Sequence, residues 1–395
     1  MEFVNSPTTI EPRKTSLNAI HRRLGAKMVN FGGWDMPVEY PATGGLMAEH
    51  RAVRASVGVF DVSHMGDIRI MSGSAPGGAM AAVQHISMND ASRLEIGQAQ
   101  YSAMLYPEGT FVDDVIVHRL GQDDFLLVIN AGTREKDIRW VRENTRGFDC
   151  VVADLSDAYT QLAIQGPRGV DVLQKLSDTN LNAIKNYWFT HGTVCGLKDT
   201  LIARTGYTGE DGFEIYVPSD EAVSEMVWAK VIDAGREFGI LPCGLGARNT
   251  LRLESKMALY GHEISDAVNV FEAGLERYCK MDKGNFVGRT ALERASSTGQ
   301  KRVLVGLQMI DRGIARDGYH CCNERGAVIG EVTSGSPSPT LGKNIALAYV
   351  PPEMAAIGTP VYVEIRGQRH KAEVVPTPFY KRSKPATARQ VTKAV

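Results

Sequence analysis

Two aspartates stand side by side in an otherwise apolar run, FVDDVIVH, at Asp113 and Asp114. Consecutive residues of a strand point to opposite faces, so only one of the two carboxylates can enter a given pocket, and the pattern alone leaves open which. Aspartate is depleted in strands but tolerated near turns, so a solvated strand end is the plain alternative. A carboxylate carried on a rigid strand is also suited to orienting an amine and stabilising developing positive charge. Asn130 closes the next apolar run, just before a helix start. It reads either as a turn residue or as an amide on the same sheet edge as the aspartates.

A second concentration of polar groups is RTGYTGEDGFEIYVP, from Arg204 to Pro218. Glycines at 206, 209 and 212 permit close backbone turns. Glu214 lies between Phe213 and Ile215, where a buried carboxylate needs a specific partner. An aminopyrimidine edge offers one carboxylate two adjacent N–H donors, which suits a pterin or a purine, and a nearby arginine is the alternative. The third concentration is LPCGLGARNTLRLE. There Arg248 and Arg252, four apart on a predicted helix, share a face, with one of them a candidate anion clamp and Glu254 a candidate partner for either. His64, in DVSHMG, has no serine or cysteine nucleophile motif around it and reads as a structural, hydrogen-bonded histidine. No G-x-S-x-G elbow, phosphate-binding loop or H-E-x-x-H motif is present.

The elements that must carry these groups follow from periodicity. Three strands, QAQYSAML, FVDDVIVHRL and DFLLVIN, joined by PEG and GQDD turns, predict an antiparallel meander between Gly97 and Ala131. Thr133 is placed to cap the helix that follows, TREKDIRWVREN. Helices are expected at LMAEHRAVRAS, RGVDVLQKLSD, DEAVSEMVWAKVIDAGREFG and from about Gly246 to Lys256, with strands at VGVFDV, QLAIQG, LIARTGY and FEIYVP. After Lys283 short strands follow one another closely (VLVGLQM, AVIGEVTSG, IALAYV, VYVEIRG, QRHKAEVV), which predicts a separate all-β domain.

A chain of 395 residues exceeds one ordinary core, so two or three domains are expected. Lysine plus arginine (44) balances aspartate plus glutamate (45), which argues against a nucleic-acid or membrane-surface partner. The six cysteines lack C-x-x-C spacing and read as reduced thiols, with no metal site. The N-terminal MEFVNSPTTIEPRKTS carries no apolar signal core, and no stretch is apolar for long enough to span a bilayer, so the expected location is cytoplasmic. The polar, basic end, residues 386–395, is expected to be a loose tail.

The segments GAKMVNFGGWDMPVEY, HRAVRASVGVFDVSHMG, FVDDVIVHRL, NAGTREKD, RTGYTGEDGFEIYVP, PCGLGARNTLRLE, GEVTSGSPSPTLGKNIALAYV and PFYKR, in this order and across almost the whole chain, resemble the glycine cleavage T-protein family, the aminomethyltransferases. The resemblance implies an α+β fold: a three-domain cloverleaf around a central folate cavity. Residues 1–57 with 157–284 would form domain 1, 58–156 domain 2 and 285–385 a C-terminal barrel-like β domain. It implies transfer of the aminomethyl carbon from the lipoyl arm of H-protein to tetrahydrofolate, with release of ammonia. Asp113 would be the catalytic acid. Glu214 would grip the pterin, and Met65, Tyr101, Asn130, Tyr207 and Arg248 would line the folate site. Two positions depart from the family pattern: Asn249 stands where GARD is usual, and Arg277, in GLERYC, stands where tryptophan is common.

A tetrahydrofolate-dependent demethylase of a small methylated amine or sulfonium compound is the rival enzyme, and SGSPSPTLGKNIALAYV favours the aminomethyl donor. A folate-binding assembly factor for iron–sulfur proteins would carry K-G-C-Y-x-G-Q-E, where this chain reads DKGNFVGR.

Overall fold

A computed structural model describes residues 11–382, so the N-terminal ten residues and the predicted tail at 386–395 lie outside the described residues. Two sheets and a barrel carry the architecture. The first sheet has six strands in the order Phe189–Val194, Leu197–Ala203, Gly212–Pro218, Tyr159–Gln165, Gly58–Asp61 and Leu241–Pro242, all antiparallel except the last pair. The second has five, in the order Ala99–Leu105, Phe111–Gly121, Asp124–Ile129, Gly66–Ser72 and Cys150–Asp154. Its first three strands are the predicted meander. Alternation explains both sheets: in Phe111–Gly121, Val115 and Val117 enter an aliphatic core with Phe125 and Leu127, while Asp114 and Ile116 take the other face.

The strand Gly58–Asp61 corrects one expected boundary. It pairs with Tyr159–Gln165 in the first sheet, and the second sheet begins at Gly66. The chain therefore changes sheets at the 62–65 turn, not at residue 57. No composition shift marks the crossing, because VGVFDV is apolar enough for either sheet. Residues 303–375 close a six-stranded antiparallel barrel, with the short strand His320–Cys322 as a member that sequence patterning missed. The helices Gly78–Ile86 and Arg289–Thr298 were also missed.

Helix Arg134–Asn144 covers the second sheet, burying Ile138, Trp140 and Val141 while charged residues occupy its outer side. Each such side chain taken from water contributes roughly 1.5–3 kcal/mol. Its capping differs from expectation: Thr133 makes no cap hydrogen bond, because its hydroxyl donates to Asp113 Oδ2 at 2.6 Å. The two sheets face each other through Ala99, Leu126, Val128, Phe189, Leu201 and Tyr216. No helix among the described residues is long and apolar enough to cross a membrane.

Helix Leu245–Glu254 joins the first sheet to the barrel. Leu253 packs on Ile345 and Leu347 of the barrel. Arg252, 1% exposed, pairs with Glu263 at 2.7 Å and donates to Ser334 at 2.8 Å and to Asn249 Oδ1 at 2.8 and 3.0 Å. Asn249, the departure noted in the sequence, is thus a neutral acceptor for this buried guanidinium. Glu254 pairs with neither Arg248 nor Arg252; it binds Arg54 at 2.8 Å, with His50 at 3.3 Å. Removing one partner of a buried pair strands the other charge. Arg252→Ala should therefore lower stability by about 3–5 kcal/mol, and Arg252→Lys, which keeps a cation for Glu263, by less. Urea unfolding midpoints check this, and an alanine variant as stable as the parent contradicts it.

Candidate active site

The facing sheets and helix Leu245–Glu254 enclose a cavity of about 240 Å³. Met65, Tyr101, Asn130, Tyr207, Glu214 and Arg248, the six residues singled out as ligand-lining, all border it. They arrive from both sheets, the loop at 62–65, the 204–212 turn and the helix start. The exception is Asp113. Strand alternation turns Asp114 to the cavity and Asp113 away from it, and Asp113 is fully buried beneath the wall. The resemblance gives the catalytic role to Asp113; the acid that lines the cavity is Asp114.

The two acids share one amide. Asn130 Nδ2 donates to Asp113 Oδ1 and to Asp114 Oδ1, each at 2.8 Å. Asp113 is further held by Thr133 and by the Asp114 backbone N–H at 3.0 Å. Asp114 accepts from the Tyr101 hydroxyl at 3.1 Å. Burial, with the Asp113 charge next, pushes the Asp114 carboxyl well above the ordinary carboxylate range. Asp137, below Asp113, is raised in the same way, and one of its oxygens has no hydrogen-bond partner.

On the opposite wall, Glu214 accepts from the Thr205 hydroxyl. Burial raises its carboxyl, opposed by Thr205 and by the Arg248 charge. Its partner is therefore a hydroxyl, with Arg248 acting at longer range. The Arg248 guanidinium lies over the Tyr207 ring, 4.5 Å from its centroid, and burial lowers its pKa. Tyr207 spends its hydroxyl on the Ala258 carbonyl and so presents a ring to the cavity. The glycines of the 204–212 turn serve close approach: Gly209 has φ +78, and a Cβ there would lie 2.1 Å from Ser255 Oγ. Arg277 does reach the cavity, its guanidinium 4.5 Å from the Tyr278 ring centroid.

Several wall residues escaped sequence reasoning. His118 lies on the Asp114 face of the same strand, four residues on, where alternation from Asp114 through Ile116 points to it. Burial holds it neutral, its pKa down at about 4, and neither ring nitrogen has a partner. Tyr187 occupies the left-handed region at φ 61, a conformation without a sequence signature in a non-glycine residue. His64, expected to be hydrogen-bonded, is fully buried with both ring nitrogens unpartnered.

Comparisons with known proteins agree with this arrangement. The GCVT N-terminal domain family matches residues 17–283, and the glycine cleavage T-protein C-terminal barrel domain matches 302–381. The aminomethyltransferase of Acidobacterium capsulatum is 67% identical, covering 94% of this chain and 97% of the relative. That of Koribacter versatilis is 64% identical over 96% and 99% of the two chains. The crystal structure of glycine cleavage system aminomethyltransferase T from Bartonella henselae superposes with a TM-score of 0.86 at 32% identity, covering 93% of this chain and 98% of that one. With both domains matched and close relatives aligned nearly end to end, the chain belongs to the glycine cleavage T-protein family, the aminomethyltransferases.

Proposed function

We propose that this chain, as an aminomethyltransferase, uses the cavity between its sheets to move an aminomethyl carbon from a lipoyl arm of H-protein to tetrahydrofolate, releasing ammonia. The observation that carries the site assignment is the pair of carboxylates, Asp114 and Glu214, on the walls of one cavity. The residues present fit a reduced pterin. Glu214 offers a carboxylate to the two adjacent N–H groups of an aminopyrimidine edge. Tyr101, Tyr187 and Tyr207 supply ring faces, and Asp114 stands where an amine can be oriented. When bound, tetrahydrofolate supplies one ring amine and the neighbouring exocyclic amine, which together accept the carbon.

The proton balance defines what the protein must do. Two N–H protons must leave the accepting amines, one in the ring and one beside it; one ends on the sulfur of the reduced lipoyl arm and the other on the departing nitrogen, which leaves as ammonia. Asp114 hydrogen-bonds the amine, and in its ionised form it stabilises positive charge on the transferring carbon. Its raised pKa also lets it carry a proton near neutral pH. Asn130 and Tyr101 fix its oxygens, so little reorientation is needed during transfer. Arg248 balances the two carboxylates from the cavity wall. No observation favours a small methylated donor.

The direct test mixes the purified chain with tetrahydrofolate and aminomethyl-loaded H-protein and follows ammonia and methylenetetrahydrofolate. Asp114→Asn should cut turnover by roughly a hundred- to ten-thousand-fold while tetrahydrofolate still binds, and undiminished turnover removes Asp114 from the mechanism. Glu214→Gln should weaken tetrahydrofolate binding by roughly ten- to a hundredfold, as for a lost charged hydrogen bond; equal affinity by calorimetry contradicts the pterin-edge role.

Asp114 also sets a pH dependence. Its folded pKa lies above the unfolded value, so the native state holds a proton that the unfolded chain has released, and stability falls as pH rises through that interval. Asp114→Asn removes this loss. Its unfolding midpoint should gain on that of the parent between about pH 4 and about pH 7, and parallel midpoint curves contradict the raised pKa.

A further inference from the structure

The wall that carries Glu214 also presents an amide with one free end. Strand Tyr159–Gln165 pairs with Gly212–Pro218 so that Ala163 lies opposite Glu214 and Gln161 opposite Tyr216. Gln161, Glu214 and Tyr216 therefore share one face of the sheet, and all three line the cavity. Gln161 and Glu214 are diagonal neighbours across the two strands, a spacing within reach of long side chains. The two ends of the Gln161 amide have different settings. Nε2 donates to Oδ2 of Asp67, a fully buried residue of strand Gly66–Ser72. Oε1 accepts no hydrogen bond among the described residues, and unlike the sealed ring nitrogens of His64 and His118 it keeps surface open to the cavity. Burial raises the Asp67 pKa to about 8, and its unpartnered Oδ1 can hold the proton, so Oδ2 stays an acceptor at neutral pH. The amide is thereby kept from turning over: its N–H end is fastened behind the wall and its oxygen faces the cavity.

A fixed acceptor beside a carboxylate that grips a pterin suits a donor on the flank of the same ring. With the aminopyrimidine edge on Glu214, the flank next to that edge carries the ring nitrogen N8. In tetrahydrofolate this nitrogen bears a hydrogen, whereas in folic acid it bears only a lone pair. The first is a partner for Oε1, and the second is repelled by it. Resting on the tetrahydrofolate reading above, we propose that Gln161 reads the oxidation state of the pterin: Oε1 accepts the N8–H of a reduced ring, and Asp67 is the positioning residue that holds Nε2 away from the ligand. Glu214 recognises an edge that oxidised and reduced pterins share, so it supplies affinity without this discrimination. A site built around a fixed acceptor rejects an analogue that lacks the matching donor.

The test is calorimetric binding to the full chain, wild type against Gln161→Met, which keeps the length of the side chain and removes the acceptor. Three ligands separate the roles: tetrahydrofolate and dihydrofolate, which carry the N8–H, and folic acid, which does not. Tetrahydrofolate and dihydrofolate should each bind the variant roughly five- to tenfold more weakly, the effect of one lost hydrogen bond. Folic acid should bind it as well as it binds the wild type, or better, so the preference for reduced pterins shrinks. Equal loss for all three ligands marks a structural role or a contact to the shared edge, and it overturns the proposal. Unchanged affinity for tetrahydrofolate overturns it as well. If the methionine variant does not fold, a crystal structure of the wild type with dihydrofolate decides: the Gln161 amide within hydrogen-bond distance of N8 supports the proposal, and an amide out of reach of it overturns it. A wild type that binds no tetrahydrofolate overturns the folate reading itself, whereas wild-type binding with an indifferent methionine variant removes only Gln161.

Discussion

The site depends on a single amide bridging two neighbouring carboxylates. Strand geometry forces Asp113 and Asp114 to opposite faces, yet Asn130 Nδ2 reaches an oxygen of each at 2.8 Å. Asp113 is in turn fastened to Thr133 at the start of helix Arg134–Asn144, which Ile138 and Val141 lock onto the sheet. The position of Asp114 at the cavity wall is therefore inherited from a helix packed on the far face of its sheet. Asp113, out of the cavity, acts as an anchor and as a negative charge that keeps Asp114 reluctant to ionise.

Desolvation sets the electrostatics of the surrounding walls. It raises Glu214 and Asp114, lowers Arg248, and holds His64 and His118 neutral. A cavity built this way favours neutral hydrogen-bonding groups over solvated ions and magnifies each hydrogen bond made inside it. It also costs stability, since the two histidines carry unpartnered nitrogens. The expense is met elsewhere, in the aliphatic cores of both sheets and the barrel and in the Arg252–Glu263 link from helix to barrel.

Much of this arrangement is legible in the sequence. The meander, the helix after Asn130 and the successive strands of the barrel follow from alternation and turn residues, and the family motifs point to six residues that do line the cavity. What escaped has physical reasons. The choice between Asp113 and Asp114 depends on the absolute face of a strand, which a period of two does not supply; the resemblance names Asp113, whereas Asp114 lines the cavity. The crossing between sheets at 62–65 leaves no mark because Gly58–Asp61 is buried and apolar in either setting. Thr133 has the residue type of a helix cap but spends its hydroxyl on a neighbouring acid. His64 and His118 are ordinary residues in sequence, and only their missing partners set them apart.

The most direct test of the central claim is a crystal structure of the chain with tetrahydrofolate bound. A ring amine of the ligand within hydrogen-bond distance of the Asp114 carboxylate, with the aminopyrimidine edge on Glu214 and Asp113 still beneath the wall, is the predicted result. A ligand that meets Asp113 instead, or that lies in the cavity without touching Asp114, contradicts it.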